Sequence, residues 1–422
     1  MPHHGGPDEH GRGVLVSQSD GSLELSLFVG VDWGSRVHAV CFLAPDGKLL
    51  RQFEIDHSAD GFAELIAWLR KTARPETVAV GIEDPHHPLV APMLELGAHV
   101  YAINPKQLDR FRDRHTVAGA KDDRRDAYVA ADSLRTDRHL FTPVPTPDPF
   151  QFALREASHR YDALLKDFIR QSNRLSALLR RSAPGLLRLC PGANEPFFFA
   201  LLALGFDRDA ARRLRPARIA ALLKQHDKRK FSVDEIVAAL REPRLPLAPG
   251  AYEAIAESVA AALPLLILMH QQLEAARSRL DVLCGEGGRT AEILLSFPGV
   301  GEIVGAAILA EASPALAARD IKRLRALAGT APVTRRSGRS HTVAMRRACN
   351  PRLRDACYHW ARTAVVWDPV AQAQYRALRL RGHAQARALR GVADRLLHRL
   401  VAALRANSLY RPPVTPPETA AA

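Results

Sequence analysis

The sequence predicts an α/β domain toward the N-terminus, a long helical arm in the middle and a mostly α-helical domain toward the C-terminus. Three observations carry this. From Leu25 to about Pro149, apolar runs of strand length alternate with amphipathic helical stretches. From Phe152 onward, apolar residues recur at helical spacing. Positive charge then concentrates late: Arg319 to Arg411 holds 21 Lys and Arg against 4 Asp and Glu, a net +17 in a chain of +14, so the remainder carries −3.

In chain order, "LFVGVDWG" is a buried strand, "VHAVCFLA" alternates, and "PDG" turns into "KLLRQFEI", which together make an antiparallel meander. "GFAELIAWLRKT" is an amphipathic helix, "TVAVGIED" a second buried strand stopped at Pro85, and "PLVAPMLELG" a helix closed by Gly97. "AHVYAIN" is a further strand, and Pro105 opens another helix. Two long helices, Phe152 to about Arg181 and Tyr252 to Cys284, bracket a proline-broken segment with short helices such as "PARIAALLKQH" and "SVDEIVAAL". Their imperfect heptads predict an antiparallel coiled-coil arm. "TAEILLSFPGVGEIVGAAILAEA" predicts a helix-hairpin-helix-like element, whose glycines would admit phosphates close to the backbone. Three further helical stretches follow. The expected division is a disordered tail at 1–24, the α/β domain at 25–150, the helical region at 151–285, the basic domain at 286–408 and a disordered tail at 409–422.

Composition excludes several classes. The five cysteines, Cys41, Cys190, Cys284, Cys349 and Cys357, form no C-x-x-C pair, so neither a zinc ribbon nor a disulfide framework is indicated. "MPHHGGPDEHGRG" lacks the apolar core of a signal peptide, and its His3, His4 and His10 read as a solvated tail rather than a metal site. The most apolar stretch, "AIAESVAAALPLLILMH", carries Glu257 and Pro264 and reads as too short and interrupted to span a membrane. The expectation is a cytoplasmic, nucleoid-associated protein without a membrane partner. A basic domain of +17 calls for a polyanion. Its arginines recur across several segments instead of lining one helix face, which favours nucleic acid over a lipid surface.

The acids suggest where chemistry would sit. Asp32 ends the first buried strand and Glu83 the second. A carboxylate at such a position faces the crevice at the sheet edge, although either alone also reads as the polar stop after a buried run. "KDDRRDAYVAAD" supplies more: Asp123 and Asp126 are three apart on a helix, and Asp122 and Asp126 four apart. Like charges on one face repel unless a cation joins them. Mg²⁺ or Mn²⁺ takes such hard oxygen ligands, and an acidic cluster of this size can hold two ions about 3.5–4 Å apart for phosphodiester chemistry.

"FVGVDWGSRVHAV", "VGIEDPH" and "AKDDRRDAYVAAD" resemble the acidic motifs of DEDD-type insertion-sequence transposases with an RNase H/RuvC-like N-terminal domain. "LLSFPGVGEIVGAAILAEA", "RLRALAGTAPVTRRSGRS" and "CNPRLRDACYHWARTAV" resemble their second, transposase domain. The resemblance runs from about Leu25 to Leu404 in the family's order. It implies an acidic tetrad at Asp32, Glu83, Asp123 and Asp126, the K-x-D-x-x-D-A pattern favouring Asp123 over Asp122. It implies a catalytic serine at Ser337, before Gly338, with Ser340 as the alternative. It further implies DNA as donor and target, a structured noncoding guide RNA of the kind used by the RNA-guided "bridge" recombinases, and a homo-oligomer (dimer or tetramer) whose active site joins the acids of one protomer to the serine of another. Taken alone, Ser337 reads as a hydrogen-bonding residue of a phosphate-binding loop rather than a nucleophile. Arg335, Arg336 and Arg339 flank it, and Arg346 and Arg347 extend the basic set; guanidinium groups bind phosphate in bidentate fashion. Two rivals share parts of this pattern. A metal-dependent junction resolvase needs the acids without the serine. An actin-like or sugar-kinase-like ATPase would account for "VGVDWGS" but needs a second phosphate motif and an adenosine loop that are absent from the sequence.

Overall fold

The computed structural model describes residues 24–115, 122–146, 148–338 and 340–412. Of the predicted tails at 1–24 and 409–422, residues 1–23, with His3, His4 and His10, and 413–422 lie outside the described residues, as does the candidate Arg339. The chain divides into two compact units, Met1–Pro147 and Asp148–Ala422.

The first unit contains β1 (Leu27–Trp33), β2 (Val37–Leu43), β3 (Leu49–Asp56), α1 (Ala59–Thr72), β4 (Val78–Ile82), α2 (Val90–Glu95), β5 (His99–Ala102), α3 (Pro105–Arg112), α4 (Asp123–Asp137) and β6 (Thr142–Pro143). The predicted order of strands and helices is observed, except that two helices, α3 and α4, follow β5 where one was predicted, and the two-residue β6 is added. The sheet runs β3-β2-β1-β4-β5-β6. The β1–β2 and β2–β3 pairs are antiparallel, and β1–β4 and β4–β5 parallel. It is therefore a mixed sheet. Alternation sorts the strands between two cores. Leu27, Val29, Val31, Val78, Val80 and Ile82 pack with Leu65 and Leu69 of α1 and Met93 of α2. Phe28, Ala79, Ala39 and Cys41 face Ala127, Ala130, Ala131 and Leu134 of α4.

The second unit is mostly helical: α5 (Pro149–Ser182), α6 (Pro196–Gly205), α7 (Arg208–Arg213), α8 (Pro216–Gln225), α9 (Val233–Arg241), α10 (Ala251–Glu286), α11 (Gly288–Leu295), α12 (Glu302–Ala317), α13 (Ile321–Leu327), β7 (Val333–Ser337), β8 (Ser340–Ala344), α14 (Pro351–Trp367), α15 (Pro369–Leu380) and α16 (Gln385–Ala406). The buried positions of α5 include Leu154, Ser158, Tyr161, Phe168, Ser172, Leu175 and Leu179, and those of α10 Ile255, Val259, Leu263, Leu266, Leu273, Ala276, Leu280 and Leu283. Steps of three and four give each helix one buried seam, apolar along α10 and interrupted by serines along α5. Arg160 bonds Gln272, and Phe150 approaches Gly287, so the pair is antiparallel. The helix expected from Tyr252 to Cys284 is observed, and the expectation that its apolar stretch is too short and interrupted to span a membrane is corrected. α10 is one 36-residue helix carried through Pro264, and by length and composition alone it could cross a membrane. A seam of buried residues packs it along α5, while most of its apolar stretch is not buried in this unit.

The "PGVG" turn joins α11 to α12. Gly299 has φ +86°, and a Cβ there would lie 2.8 Å from the Ala364 nitrogen in α14. The close approach of α14 requires a glycine at this position, while Gly301 of the same turn is open. Buried Glu311 of α12 accepts from His159 of α5 at 2.8 Å, Asn350 at 2.6 Å and Arg352 of α14 at 2.9 Å, tying three helices together just beyond β8.

Candidate active site and the basic hairpin

Parallel register brings the two strand-end acids together. Val31 pairs with Ile82, so the next position places Asp32 beside Glu83, on strands spaced by about 4.8 Å. Both follow by two residues a glycine, Gly30 and Gly81, on the face that meets α4. That face has almost no room. A Cβ on Gly30 would lie 1.9 Å from the Ala127 carbonyl oxygen and 2.6 Å from the Ala131 nitrogen, and one on Gly81 3.4 Å from the Ala130 carbonyl oxygen. α4 therefore lies with its backbone directly on β1. It runs antiparallel to β1, because Arg135, Thr136 and Phe141 share a cavity wall with Leu25 and Phe28 at the start of the strand. The first turn of α4, with Asp123 and Asp126, comes to the end of the sheet where Asp32 and Glu83 stand. Arg124 of that turn confirms the placement. It bonds Glu54 of β3 at 3.0 Å, and Glu54 continues the cross-strand row Asp32–Ala39–Glu54.

Each aspartate of the charged stretch has a distinct environment. Asp122 is the N-cap of α4, its carboxylate accepting from the Arg124 N–H at 3.2 Å. Asp123 is exposed in the first turn, where the helix N-terminus favours negative charge. Asp126 is 2% exposed and held in bidentate fashion by Arg112 of α3, at 2.7 Å to Oδ1 and 2.8 Å to Oδ2. Burial lowers the Arg112 guanidinium, and the Asp126 bonds outweigh this and raise it above its ordinary value. Asp132 pairs with Arg135 at 2.7 Å and His115 at 3.3 Å. The donor set of Asp32, Glu83, Asp123 and Asp126 is all hard oxygen, which fits Mg²⁺ or Mn²⁺ and suits no softer metal. Arg112 was not anticipated. It stands fourteen residues from its partner in "DRFRDRH", where nothing distinguishes it from its basic neighbours. Gly30 had only the signal of a glycine inside an apolar run.

Ser337 lies in a β-hairpin where the sequence suggested an open loop. β7 and β8 pair antiparallel with Ser337 opposite Ser340, Arg336 opposite His341 and Arg335 opposite Thr342. Gly338 at the turn has φ +52°, a conformation for which glycine is suited. Alternation puts Arg335, Ser337 and Ser340 on one face and Arg336 on the other. From Thr334 through Ala344 the described hairpin residues are exposed. Arg347 is exposed, whereas half-buried Arg346 spends its Nε on the Ala331 carbonyl at 3.3 Å. The acids lie in the first unit and the serine hairpin in the second.

In comparison with known proteins, the acids and the serine hairpin fall in two separate family profiles, the first of which continues past the end of the first unit through α5. A family profile for DEDD transposases of the IS110 type matches residues 29–184, and one described as "Transposase IS116/IS110/IS902 family" matches 291–376. The protein assigned as transposase of the IS117 mini-circle of Streptomyces coelicolor is 32% identical over 89% of this chain and 93% of its own length. The chain belongs to the IS110 family of DEDD transposases. As a member of that family it is a DNA phosphotransferase, which entails binding DNA. The IS900 42 kDa protein of Mycobacterium paratuberculosis is 29% identical over 92% of this transposase and 98% of its own length. A Sinorhizobium fredii protein assigned as transposase y4uE is 42% identical over 48% of the chain, and the chain spans 58% of that relative.

Proposed function

We propose that this transposase cuts and rejoins DNA through a divalent-metal site on Asp32, Glu83, Asp123 and Asp126 and a covalent serine–DNA intermediate at Ser337. The observation that carries the reading is the seating of α4 on Gly30, which puts the first turn of that helix over the paired strand ends of Asp32 and Glu83. Those four carboxylates would hold Mg²⁺ or Mn²⁺, which supplies charge stabilisation at the scissile phosphate. Arg112 takes one lone pair of each Asp126 oxygen, so a second lone pair on either oxygen would serve as the metal ligand while the guanidinium holds the carboxylate in place. The first unit would be an RNase H/RuvC-like domain.

At the serine, the Oγ–H loses its proton and Oγ bonds to phosphorus. The phosphorus–oxygen bond to the leaving strand breaks, and that strand's oxygen takes a proton. Rejoining reverses this with a strand-end hydroxyl as the nucleophile, so no external energy source is needed. Arg335, on the same face as Ser337, would hold the phosphate and stabilise its developing charge; Arg336, Arg339, Arg346 and Arg347 would contribute to the surrounding basic surface. The net +17 of residues 319–411 supports a nucleic-acid partner for this unit, with an element-encoded guide RNA as well as DNA. The α5–α10 pair would serve as a coiled-coil arm for a dimer or tetramer, a reading supported by exposed Leu265, Ile267 and Leu268 on α10. The catalytic site would then combine the acids of one protomer with the serine of another at the nucleoid.

The test mixes Asp126→Ala protein with Ser337→Ala protein on labelled DNA, with guide RNA and Mg²⁺. Each alone should be inactive, and the mixture should recover part of the cleavage. Cleavage without any denaturant-resistant protein–DNA adduct would instead support a resolvase-like hydrolysis.

A further inference from the structure

On the face of the sheet opposite the carboxylates, three imidazoles converge. His38 of β2 follows the alternation of Val40 and Phe42 toward α1, His57 stands just after β3, and His87 lies in the loop between β4 and α2. One ring nitrogen from each lies within 4.8 Å of the other two. His38 is fully buried and His87 is 4% exposed, while His57 is open to solvent. The His38 Nε2 sits 2.9 Å from His57 Nδ1, and Phe62 and Trp33 close the apolar sides. His87 Nε2 is buried without a hydrogen-bond partner. Buried polar atoms are nearly always partnered, so three imidazoles gathered around an orphan nitrogen need an explanation.

We propose that His38, His57 and His87 form a binding site for a borderline transition-metal dication, Zn²⁺ by preference, that fastens the loops following Asp32 and Glu83. Imidazole nitrogens suit Zn²⁺ and exclude Mg²⁺, which takes oxygen. Three protein ligands leave a fourth position for water on the open side of His57. Burial, then the neighbouring His87 and His57, hold His38 down to about 4, and burial and His57 lower His87. Both rings are therefore neutral at neutral pH, the form that ligates. The protons can be accounted for. Gly34 N–H and Leu89 N–H point at Nδ1 of His38 and His87, each at 3.2 Å, which leaves Nε2 protonated without metal. Loading shifts each proton from Nε2 to Nδ1 with no net release. Each Nδ1–H would then face a backbone N–H donor, so loading requires the rings or their loops to turn; Gly34 N–H keeps the Val37 carbonyl at 3.1 Å, whereas Leu89 N–H loses its acceptor. The consequence is positional. The turn that reaches His38 begins directly after Asp32 and Trp33, and the loop that carries His87 begins at Glu83. One ion would pin both loops from behind. The site stands whether or not the carboxylates hold Mg²⁺.

The test uses the full chain with His3, His4 and His10 changed to Ala, so that the tail cannot contribute, and Zn²⁺ or Co²⁺ alone as the probe. One equivalent of Zn²⁺ per chain should survive dialysis, and Co²⁺ should give the visible absorption of a low-coordinate nitrogen site. His57→Ala removes an exposed ring and leaves the core intact. It should weaken Zn²⁺ binding roughly a hundredfold or more, since losing even an outer-shell partner costs ten- to a hundredfold. Asp126→Asn should leave Zn²⁺ binding unchanged. Zn²⁺ affinity no tighter in the parent than in His57→Ala would overturn the site. Loss of Zn²⁺ in Asp126→Asn would overturn its separation from the acids.

Discussion

Gly30→Ala is the sharpest perturbation of the candidate active site, because its Cβ has nowhere to go. The atoms it meets, the Ala127 carbonyl oxygen at 1.9 Å and the Ala131 nitrogen at 2.6 Å, are both backbone, so no side chain can rotate away. Ordinary contact begins at 3.4 Å, so α4 must retreat by about 1.5 Å. Overpacking of this kind costs about 1–3 kcal/mol, offset by the ~0.5–1 kcal/mol that alanine gains over glycine within a strand. The first unit should therefore lose about 1–2 kcal/mol and remain folded. Function should suffer far more. Asp123 and Asp126 ride on α4 while Asp32 and Glu83 stay on the sheet, and a misplacement of ~1 Å at a reacting centre can lose about 10²-fold in rate. Strand cleavage on labelled DNA, measured below the variant's melting temperature, should fall by about two orders of magnitude, and Mn²⁺ affinity should fall with it. Gly301→Ala is the control, since a Cβ there meets nothing within 4 Å and its φ of −98° is extended. Cleavage by Gly30→Ala within threefold of the parent would refute the claim that this contact positions the acids.

Three further outcomes follow from the same geometry. Arg112→Ala leaves the Asp126 carboxylate, 3% exposed as a side chain, buried without its cation. The metal-free protein should lose about 3–5 kcal/mol, and Mn²⁺ should raise its melting temperature more than that of the parent; an equal rise in both would argue against a shared site. Ser337→Ala should remove the denaturant-resistant DNA adduct while DNA binding persists. Ser340→Ala, opposite it on the hairpin, should be much milder, and an adduct that survives Ser337→Ala would move the nucleophile elsewhere. Affinity of the full chain for duplex DNA should fall with salt at a log–log slope of about −0.9 per phosphate neutralised, and an affinity indifferent to salt would contradict the charge asymmetry.

The sequence by itself carried the strand and helix order of the first unit, because buried strands and amphipathic helices leave unmistakable apolar periods. It also placed Asp32 and Glu83 at strand ends, since a carboxylate after "FVGV" or "VAVGI" marks where burial stops. It could not show that those strands are parallel neighbours in register, because pairing is a contact across roughly fifty residues of chain. Nor could it divide the labour within "DDRRD". Asp122 as cap, Asp123 in solvent and Asp126 on Arg112 differ only in what tertiary packing brings to them. The β7–β8 hairpin escaped for the opposite reason. Almost all of its side chains are exposed, so no buried face imposed a period of two on its sequence. α10 was legible as one helix through Pro264, because its buried residues keep helical spacing on both sides of the proline. The three histidines, at positions 38, 57 and 87, carry no motif at all. Their convergence is produced by the sheet, which brings a strand, a strand end and a loop to one edge.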